Sequence, residues 1–494
     1  MIQGTMSGVG KSLLTAALCR IFRQDGLSPA PFKSQNMALN SFITRDGLEM
    51  GRAQAVQAAA AGLEPDVRMN PVLLKPFSDT GSQVIVGGEV RGEYAARDYF
   101  VRKKALLPEI LAAYRSLAAE HDPIVIEGAG SPAEINLKRD DIVNMGLAAL
   151  VDAPVLLVGD IDRGGVFAQL VGTVELLEPA ERARVAGLVI NKFRGDPALL
   201  KDGLDFLEAR TGIPVLGVIP WTAADVDDED SLSPRLAETR RSALVDVAVL
   251  RLPRISNFTD LIPLERHPDL GVRYVSSPET LGEPDLIVLP GTKSTAADLL
   301  WLRRNGLERA VCRLAGKGTP VLGICGGYQM LGRTLRDPLG VEGGGTAAGM
   351  GLLPCETEFA GEKRRTRTTA EVLAGPFAGA RLAGYEIHMG RTDRGGAAPF
   401  CRLDGGGEDG AALGNVFGTY LHGLFDSGEL TDRLAAWLLE RKGLAGTGRR
   451  SETHAEYQDR QLDLLADAVR AHLDVPAVRR IMDEWEERRK RHGV

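Results

Sequence analysis

The sequence is poor in the features typical of secreted, membrane-bound or nucleic-acid-binding proteins. Its five cysteines are odd in number and widely separated, so they indicate neither a disulfide framework nor a metal-binding knuckle. They are Cys19, Cys312, Cys325, Cys355 and Cys401. This cysteine usage fits a reducing compartment and predicts a cytoplasmic protein.

The chain also lacks long apolar runs and concentrated positive charge. No apolar run approaches the ~18 residues that a membrane-spanning helix needs. The early apolar stretch 13–18 has no basic region before it, which a secretory signal would have. With a net charge of −7 and basic residues that are mostly scattered, the sequence disfavours a nucleic-acid partner. We therefore expect neither a membrane nor nucleic acid as a partner.

The remaining composition is that of a globular protein, with 44% hydrophobic and 25% charged residues. A chain of 494 residues is too long for one core, so two or three domains are expected. Uninterrupted apolar strands alternate with helical segments, which predicts α/β domains whose parallel sheets are covered on both faces. The predicted strands include 124–126, 155–158, 188–190, 215–219, 245–250, 286–289 and 320–322.

The chain opens with a glycine-rich loop, GTMSGVGKS at residues 4–12, and an amphipathic helical pattern follows it. Backbone N–H groups of such a loop hold phosphates, while the lysine reaches the outer phosphates and the serine hydroxyl can bind Mg²⁺. Five residues rather than four separate Gly4 from Gly10, a departure from the usual spacing. The pattern predicts a nucleotide site formed by Gly4, Thr5, Gly10, Lys11 and Ser12.

Acidic residues follow two of the predicted strands. Glu127 comes directly after strand 124–126, where it can support Mg²⁺ opposite Ser12 or face solvent in a turn. Asp160 and Asp162 follow strand 155–158, where they can line the same edge of the sheet or cap a helix. Ligands of parallel sheets bind at this edge, so these carboxylates are candidate site residues.

Several stretches are predicted to lie outside these strands. Residues 31–41, PFKSQNMALNS, are rich in amide and hydroxyl groups and are either a substrate loop or a solvated turn. The acidic stretch 223–243 is interpreted as a linker, and the glycine-rich stretches 343–351 and 403–414 as loops. The charged sequence beyond about residue 430 predicts helices that pack against one domain.

The stretch GICGG at residues 323–327 predicts a strand that ends in a sharp turn before a helix. Such a turn lifts its central side chain, Cys325, out of the sheet and towards a helix N-terminus, which favours a nucleophilic thiolate. The N–H groups of Gly291 and Gly326 are candidates for an oxyanion hole. A cysteine nucleophile needs a base, and the pattern does not choose between His388 and His422.

A phosphate loop followed by a Cys–His α/β domain is an unusual combination, and the chain resembles the cobyric acid synthase family. The members of this family are glutamine-hydrolysing amidotransferases of cobalamin biosynthesis. The resemblance covers nearly the whole chain and is carried by residues 4–12, 31–41, 50–54, 125–131, 160–167, 323–329, 384–391 and 415–426. It implies a dethiobiotin-synthetase-like P-loop sheet domain followed by a class I glutamine amidotransferase-like α/β domain.

The resemblance to class I glutaminases assigns roles in the second half of the chain. It implies that Cys325 is the nucleophile, His422 the base and Gln329 a contact for glutamine. Members of the class usually carry a glutamate two residues after the histidine, whereas this chain has Leu424. The resemblance therefore implies a Cys–His dyad that lacks a third member.

The resemblance to dethiobiotin synthetase assigns roles in the first half of the chain. It implies phosphate and Mg²⁺ contacts for Lys11 and Ser12, a Mg²⁺ ligand at Glu127 and an adenine contact at Asn191. The expected substrate contacts are Lys33, Gln35, Asn36, Asp160, Asp162 and Arg163. The implied division of the chain is an ATP-binding amidoligase domain at 1–222, a linker at 223–243, a glutamine amidotransferase domain at 244–432 and a helical extension at 433–494.

The activity implied by the family is amidation of the b, d, e and g carboxylates of adenosylcobyrinic acid a,c-diamide with ATP, Mg²⁺ and glutamine. One alternative is cobyrinic acid a,c-diamide synthase, which amidates two other carboxylates of the ring. Another is a P-loop ATPase switch that carries an inactive glutaminase-like module. The expected partners are the corrinoid, glutamine and ATP, and a homo-oligomer is also considered.

Overall fold

The computed structural model describes residues 1–77, 80–227, 236 and 243–492, and the chain divides into two compact units. Unit 1 comprises residues 1–37, 50–227 and 458–494, and unit 2 comprises residues 38–49 and 228–457. Among the helices of the described residues, none is both long enough and apolar enough to cross a membrane.

Unit 1 is centred on parallel strands. Four of them form one sheet in the spatial order Ile2–Gly4, Val155–Asp160, Val185–Phe193 and Val215–Pro220. The parallel pair Ala30–Phe32 and Ile124–Ile126 lies beside this sheet, since Ile2 forms a parallel bridge with Glu127. The predicted parallel sheet is confirmed, and the carboxyl ends of its strands lie along one edge.

Helices cover both faces of this sheet, and buried apolar side chains form a core on each. The α-helices of unit 1 are Lys11–Gln24, Arg52–Ala61, Ala96–Arg102, Leu107–Glu120, Met145–Leu150, Val166–Leu176, Pro179–Arg182, Lys201–Thr211, most of His454–His472, and Val475–His492. The 3₁₀ helices are Val67–Met69, Lys103–Leu106, Lys138–Asp140 and Pro197–Leu200. Leu14, Leu18 and Ile21 share the buried face of the first helix, as the helical spacing predicts.

Unit 1 also contains a smaller sheet, whose strands in spatial order are Gln35–Met37, Val72–Pro76, Gly81–Val86 and Glu89–Ala95. Its first pair is parallel and the others are antiparallel. The polar loop predicted at 31–41 is therefore partly a strand. Beyond Met37, the chain forms a hairpin with strands Ser41–Ile43 and Glu49–Gly51.

Unit 2 is built on a second α/β sheet, in the spatial order Leu270–Val275, Val245–Leu250, Leu286–Leu289, Val321–Ile324, Val416–Thr419 and Ala411–Leu413. All neighbours are parallel except the last pair. Its α-helices are Ile262–Arg266, Pro278–Leu281, Thr295–Arg304, Leu307–Gly316, Gly326–Leu331 and Glu429–Arg441, and its 3₁₀ helices are Phe258–Leu261 and Gly375–Phe377. The predicted α/β class is confirmed here as well.

A second sheet of unit 2 has the spatial order Gly345–Ala348, Thr334–Asp337, Glu356–Val372, Arg381–Asp393 and Leu421–His422, with Cys401–Leu403 and Glu408–Asp409 attached. Strands Gly345–Ala348, Glu408–Asp409 and Ala411–Leu413 occupy the stretches 343–351 and 403–414, so the prediction that these are loops is wrong in part. Hydrogen bonds to neighbouring strands override their weak intrinsic strand preference.

The units group the chain differently from the linear division drawn from the sequence, which stays a prediction. Residues 38–49 belong to unit 2 although both flanks belong to unit 1, and residues 458–494 belong to unit 1. Leu462, Leu465 and Val469 of the C-terminal helices lie in the unit 1 core. Of the predicted linker, residues 228–235 and 237–242 lie outside the described residues.

Candidate active site

The phosphate loop connects strand Ile2–Gly4 to helix Lys11–Gln24. Gly10 has φ 95°, and a Cβ there would lie 2.3 Å from Asn191 Nδ2, so both backbone and space require glycine. The Asn191 amide donates to the Val9 carbonyl oxygen at 2.8 Å. The neighbouring Lys192 ammonium donates to the Gly8 carbonyl oxygen at 2.5 Å. Strand Val185–Phe193 therefore fixes the shape of the loop through two side chains.

Lys11 lies along the inner side of the loop and is nearly buried. Its ammonium donates to the carbonyl oxygens of Met6 and Gly130, both at 3.1 Å. The Thr5 hydroxyl donates to Gln169 Oε1 at 3.1 Å. Lys11 is thus held at the loop by carbonyl groups, a position from which it can neutralise phosphate charge.

Glu127 is the polar centre of this region and is 1% exposed. Its Oε1 accepts from the Ser12 hydroxyl at 2.7 Å and from the Lys33 ammonium at 2.8 Å, and its Oε2 accepts from Gln57 Nε2 at 2.6 Å. Gln57 Oε1 is buried beside them without a hydrogen-bond partner. Hydroxyl, carboxylate and amide oxygens are ligands that Mg²⁺ accepts together with phosphate, so these residues fit that ion.

The predicted substrate residues of the 31–41 stretch lie in a hydrogen-bonded network. Besides Lys33 on Glu127, Asn36 donates to Gln54 Oε1 at 2.9 Å. Gln35 Oε1 accepts from the Tyr99 hydroxyl at 2.5 Å. The Gln54 amide in turn lies 3.5 Å from Glu127 Oε2. Lys33 and Asn36 therefore belong to the surroundings of Glu127.

The second predicted group lies at the end of strand Val155–Asp160. Asp160 is buried and accepts from the Lys192 ammonium at 2.8 Å and from the Asp162 N–H at 2.9 Å. Asp162 pairs with Arg194 at 3.0 Å, and Arg163 is exposed. Asp160 is connected to the phosphate loop through Lys192, whereas Asp162 and Arg163 lie at the surface.

In unit 2, Cys325 occupies the predicted turn between strand Val321–Ile324 and helix Gly326–Leu331. Its φ of 51° and ψ of −109° are strained for a residue with a side chain, as in a nucleophile elbow. Its N–H donates to the Thr419 carbonyl oxygen at 2.8 Å, and its thiol donates to the Ile387 carbonyl oxygen at 3.6 Å. The sequence prediction of an elbow agrees with this geometry.

His422 is the histidine at Cys325. The expectation that this dyad lacks a third member is wrong, because His422 has an acidic partner distant in the sequence. Asp260 Oδ2 lies 2.6 Å from His422 Nδ1, and its Oδ1 accepts from the Gly423 N–H at 2.8 Å. Burial alone would lower the pKa of His422, but the Asp260 carboxylate and then Cys325 outweigh burial and raise the pKa to about 10. The side chains form a Cys–His–Asp arrangement.

His388 has different surroundings. Its Nδ1 lies 2.8 Å from the Gly390 carbonyl oxygen, and its Nε2 lies 3.5 Å from Glu386 Oε1. Its ring stacks on Tyr420 with a centroid distance of 3.7 Å. These contacts are those of a structural histidine, which leaves His422 as the base candidate.

The proposed oxyanion residues lie around the same turn. A Cβ on Gly291 would lie 3.1 Å from His422 Cε1, and a Cβ on Gly326 would lie 3.2 Å from both Thr292 N and Thr295 Oγ1. Both glycines are therefore packed closely against the groups that surround Cys325. Their N–H groups would form an oxyanion hole if the substrate carbonyl bound between them. This role stays a prediction.

Gln329 lies one helical turn beyond Cys325 and is fixed at both ends of its amide. Its Oε1 accepts from the Thr295 hydroxyl at 2.9 Å, and its Nε2 donates to the Tyr420 hydroxyl at 3.2 Å. Glu342 lies 3.4 Å from the same Thr295 hydroxyl, and burial raises the pKa of this carboxyl to about 7. Gln329 is therefore held in a buried hydrogen-bonded network one helical turn from Cys325.

The functional residues that the sequence analysis missed are Asp260, Glu342 and Gln57. Asp260 follows no strand and belongs to no motif, and it lies 162 positions before His422. Glu342 directly precedes the stretch 343–351 interpreted as a loop and belongs to no predicted element. Gln57 lies a few residues beyond 50–54, one of the stretches that carry the family resemblance. Its place on helix Arg52–Ala61, which follows a polar stretch, is the one signal that could have indicated its role.

Two family models match the chain and divide it as the two sites do. The model described as "CobQ/CobB/MinD/ParA nucleotide binding domain" matches residues 1–234. The model described as "CobB/CobQ-like glutamine amidotransferase domain" matches residues 246–430. A nucleotide-binding domain is therefore followed by a glutamine amidotransferase domain.

Curated relatives match along nearly the full length. A protein of Ruminiclostridium cellulolyticum named cobyric acid synthase is 55% identical over 497 residues, covering 98% of this chain and 97% of the relative. A protein of the same name from Lachnoclostridium phytofermentans is 53% identical, and the match covers 98% of this chain and 99% of the relative. Another from Klebsiella pneumoniae is also 53% identical, and the match covers 99% of this chain and 98% of the relative.

Proposed function

The chain belongs to the cobyric acid synthase family, and from this premise we propose that it amidates the b, d, e and g carboxylates of adenosylcobyrinic acid a,c-diamide to give adenosylcobyric acid. Each amidation consumes one ATP and one glutamine. The observation that carries the proposal is that one chain contains both a phosphate loop facing Glu127 and a Cys325–His422–Asp260 arrangement. A glutaminase or an ATPase alone would need only one of them.

Glutamine hydrolysis takes place at Cys325. The thiolate attacks the side-chain carboxamide of glutamine, and the Gly291 and Gly326 N–H groups stabilise the oxyanion. His422, held in orientation by Asp260, gives its proton to the leaving nitrogen, so that the C–N bond breaks, ammonia leaves and a glutamyl thioester remains on Cys325. Water then hydrolyses the thioester, which releases glutamate and restores Cys325. Gln329 contacts the bound glutamine.

Carboxylate activation takes place at the phosphate loop. A substrate carboxylate attacks the outer phosphate of ATP, so that an acyl phosphate forms and ADP leaves. Lys11 and the loop N–H groups neutralise the transferred charge. Ammonia then displaces phosphate from the acyl phosphate and forms the amide. Asn191 lies next to the loop and contacts the adenine ring in this proposal.

Mg²⁺ is expected at the same place, where Ser12 and Glu127 would hold it. When bound, the ion neutralises phosphate charge and orients the phosphate groups. Lys33 lies 2.8 Å from Glu127 Oε1, so its ammonium is placed to contact the substrate carboxylate beside the phosphates. Asn36 and Asp160 extend this polar edge, and with Gln35, Asp162 and Arg163 they complete the proposed corrinoid contacts.

Mass spectrometry of the corrinoid product tests the function directly. The purified enzyme is incubated with ATP, Mg²⁺, glutamine and the a,c-diamide, and the amide groups added are counted. We expect four additions that require both ATP and glutamine. Activity on cobyrinic acid itself, with two additions, would instead identify a cobyrinic acid a,c-diamide synthase. Absence of any corrinoid amide would contradict the proposal.

The proposal includes a cytoplasmic enzyme whose partners are the corrinoid, glutamine and ATP, without nucleic acid or membrane. A homo-oligomeric assembly is compatible with it. Fractionation of cells and the hydrodynamic mass of the purified protein test these two points.

A further inference from the structure

Glu342 is a carboxylate near the Cys325 turn that takes no part in the hydrolysis of glutamine as proposed. It lies in the connection between strands Thr334–Asp337 and Gly345–Ala348. The buried Asp337 carboxylate fixes this connection, since its Oδ1 accepts from the Val341 N–H at 2.8 Å and its Oδ2 from the Glu342 N–H at 2.7 Å. The position of Glu342 is therefore set by the backbone around it.

The Thr295 hydroxyl connects Glu342 to the cysteine turn. Thr295 Oγ1 lies 2.9 Å from Gln329 Oε1 and 3.4 Å from Glu342 Oε1. It also packs against Gly326, where an added Cβ would lie 3.2 Å from it. Gly326 directly follows Cys325 in the chain. One side chain therefore contacts the cysteine turn, Gln329 and Glu342.

The separation of Glu342 from Cys325 suits the length of a glutamine molecule. The contacts through Thr295 place Glu342 Oε1 no more than about 12 Å from the Cys325 Cα. The carboxamide carbon and the α-nitrogen of an extended glutamine are about 5 Å apart, and a contact of about 3 Å is needed at each end. A glutamine whose carboxamide lies against the thiol can therefore place its α-ammonium group at Glu342.

The Glu342 carboxylate is also a favourable place for a cation. Burial raises the pKa of this carboxyl to about 7, although the Ala296 N–H and the Lys293 charge act in the opposite direction. The Thr295 hydroxyl has one hydrogen, which its shorter contact with Gln329 takes, so Glu342 Oε1 can accept from another donor. The residue is partly exposed, so a ligand can reach it.

We propose that Glu342 is a specificity-determining residue that binds the α-ammonium group of the substrate glutamine. The inference rests on the proposed function, since it concerns the glutamine hydrolysed at Cys325. The carboxylate accepts charge-assisted hydrogen bonds from the ammonium group and holds the far end of the substrate while the carboxamide meets the thiol. A carboxamide without an α-amino group leaves this carboxylate without its cation and is therefore bound less well.

The Glu342 carboxylate has a structural contact as well, and the two roles can be separated. Its Oε2 accepts from the Ala296 N–H at 3.2 Å, at the start of helix Thr295–Arg304. That contact needs only an acceptor oxygen, whereas an ammonium group is attracted by negative charge. Glu342→Gln keeps the acceptor and removes the charge.

The test compares two substrates in the full-length enzyme supplied with ATP and the corrinoid. One is glutamine, and the other is glutaramate, which is glutamine without its α-amino group. Release of glutamate or glutarate gives kcat and KM for each. In Glu342→Gln we expect KM for glutamine to rise by about tenfold to a hundredfold with little change in kcat, because a hydrogen bond between charged groups is lost from substrate binding. The values for glutaramate should stay close to those of the wild type.

Two further variants complete the comparison. Glu342→Asp keeps the charge on a shorter side chain and should retain part of the preference for glutamine over glutaramate. Glu358→Gln removes an exposed carboxylate of the same unit and should behave as the wild type does. Equal losses for both substrates in Glu342→Gln would show a purely structural role and would overturn the proposal, as would an unchanged KM for glutamine.

The wild type decides the question even if Glu342→Gln does not fold. A wild type that hydrolyses glutaramate as efficiently as glutamine has no subsite for the α-ammonium group, so the inference fails while the proposed function stands. A wild type that neither hydrolyses glutamine nor forms corrinoid amides refutes the proposed function itself, and the inference with it.

Discussion

In unit 1 the phosphate loop is shaped by backbone conformation, whereas in unit 2 the surroundings of Cys325 are assembled from side chains far apart in the chain. Gly8 and Gly10 have positive φ angles, and Asn191 and Lys192 hold the loop through its carbonyl oxygens. At the cysteine, by contrast, His422 depends on Asp260, 162 positions away.

The two sites should therefore respond to different kinds of substitution. The phosphate loop is sensitive to side chains added at its glycines, and its chemistry depends on Lys11. The cysteine site is sensitive to charges and to the location of protons. Since each site has its own residues, a substitution at one site should abolish one half-reaction and leave the other.

The largest effect is expected for Cys325→Ala, which removes the nucleophile. Glutamine-dependent amidation should fall by roughly 10⁴- to 10⁶-fold, as when other enzymes lose a nucleophile. Amidation supported by added ammonium salt should persist because the phosphate loop is intact. Both rates are measured as corrinoid amides formed. Glutamine-dependent turnover that survives in the variant would refute the assignment of Cys325.

Lys11→Ala is the reciprocal change. It should lower amidation with either glutamine or ammonia by about 10²- to 10³-fold, because the charge on the transferred phosphate loses its cation. Glutamine hydrolysis should remain. Lys104→Ala, which removes an exposed lysine of the same unit, is the control and should leave both activities intact. Unchanged amidation in Lys11→Ala would show that the loop is not the site of activation.

Asp260→Asn tests the acidic partner through pH dependence. His422 gives up its proton to the leaving nitrogen, so hydrolysis should be lost as pH rises through its pKa of about 10. Without the carboxylate this pKa falls, and the basic limb of the pH profile should move to lower pH, with kcat reduced by about 10²-fold.

The control for this change is Asp269→Asn, which removes another buried carboxylate of unit 2, one that accepts hydrogen bonds from Thr447. Its basic limb should stay where it is in the wild type. If the limb also stays in place in Asp260→Asn, Asp260 does not set the protonation of His422.

The smallest effect is expected from a matched pair of loop substitutions. Gly8→Ala and Gly10→Ala both force a side chain into a positive φ, which costs about 1–2 kcal/mol. Only the Cβ of Gly10→Ala also collides with Asn191, because nothing lies within 4 Å of one at position 8. Calorimetry should therefore show weaker ATP binding in Gly10→Ala, by about tenfold or 1.4 kcal/mol relative to Gly8→Ala. Equal affinities would argue against backbone control of this loop.

Much of the parallel architecture was predictable from the sequence. Strands Ile124–Ile126, Val245–Leu250 and Leu286–Leu289 have the predicted bounds, because a strand buried on both faces is a continuous apolar run that ends at polar or turn residues. The second sheet of unit 2 was not predictable in this way. Glu356–Val372 is rich in charged residues on exposed positions, so no uninterrupted apolar run indicates it.

The residues of the candidate sites also differ in whether the sequence could predict them. The phosphate loop and the Cys325 turn are local motifs, in which a few neighbouring residues determine the backbone. Asp260 could not be predicted because its function arises only when a short 3₁₀ helix meets a strand end far along the chain. The grouping of residues 38–49 with unit 2 also depends on tertiary contacts, which periodicity does not contain.

Glutamine hydrolysed at Cys325 should supply the nitrogen for the amides made at the phosphate loop. The most direct test gives the wild-type enzyme ATP, the corrinoid and glutamine with an isotopically heavy amide nitrogen, in the presence of unlabelled ammonium. We predict heavy nitrogen in the corrinoid amides of the wild type and only unlabelled nitrogen in those of Cys325→Ala. Unlabelled amides from the wild type, or labelled amides formed without ATP, would show that the two sites do not work together in this way.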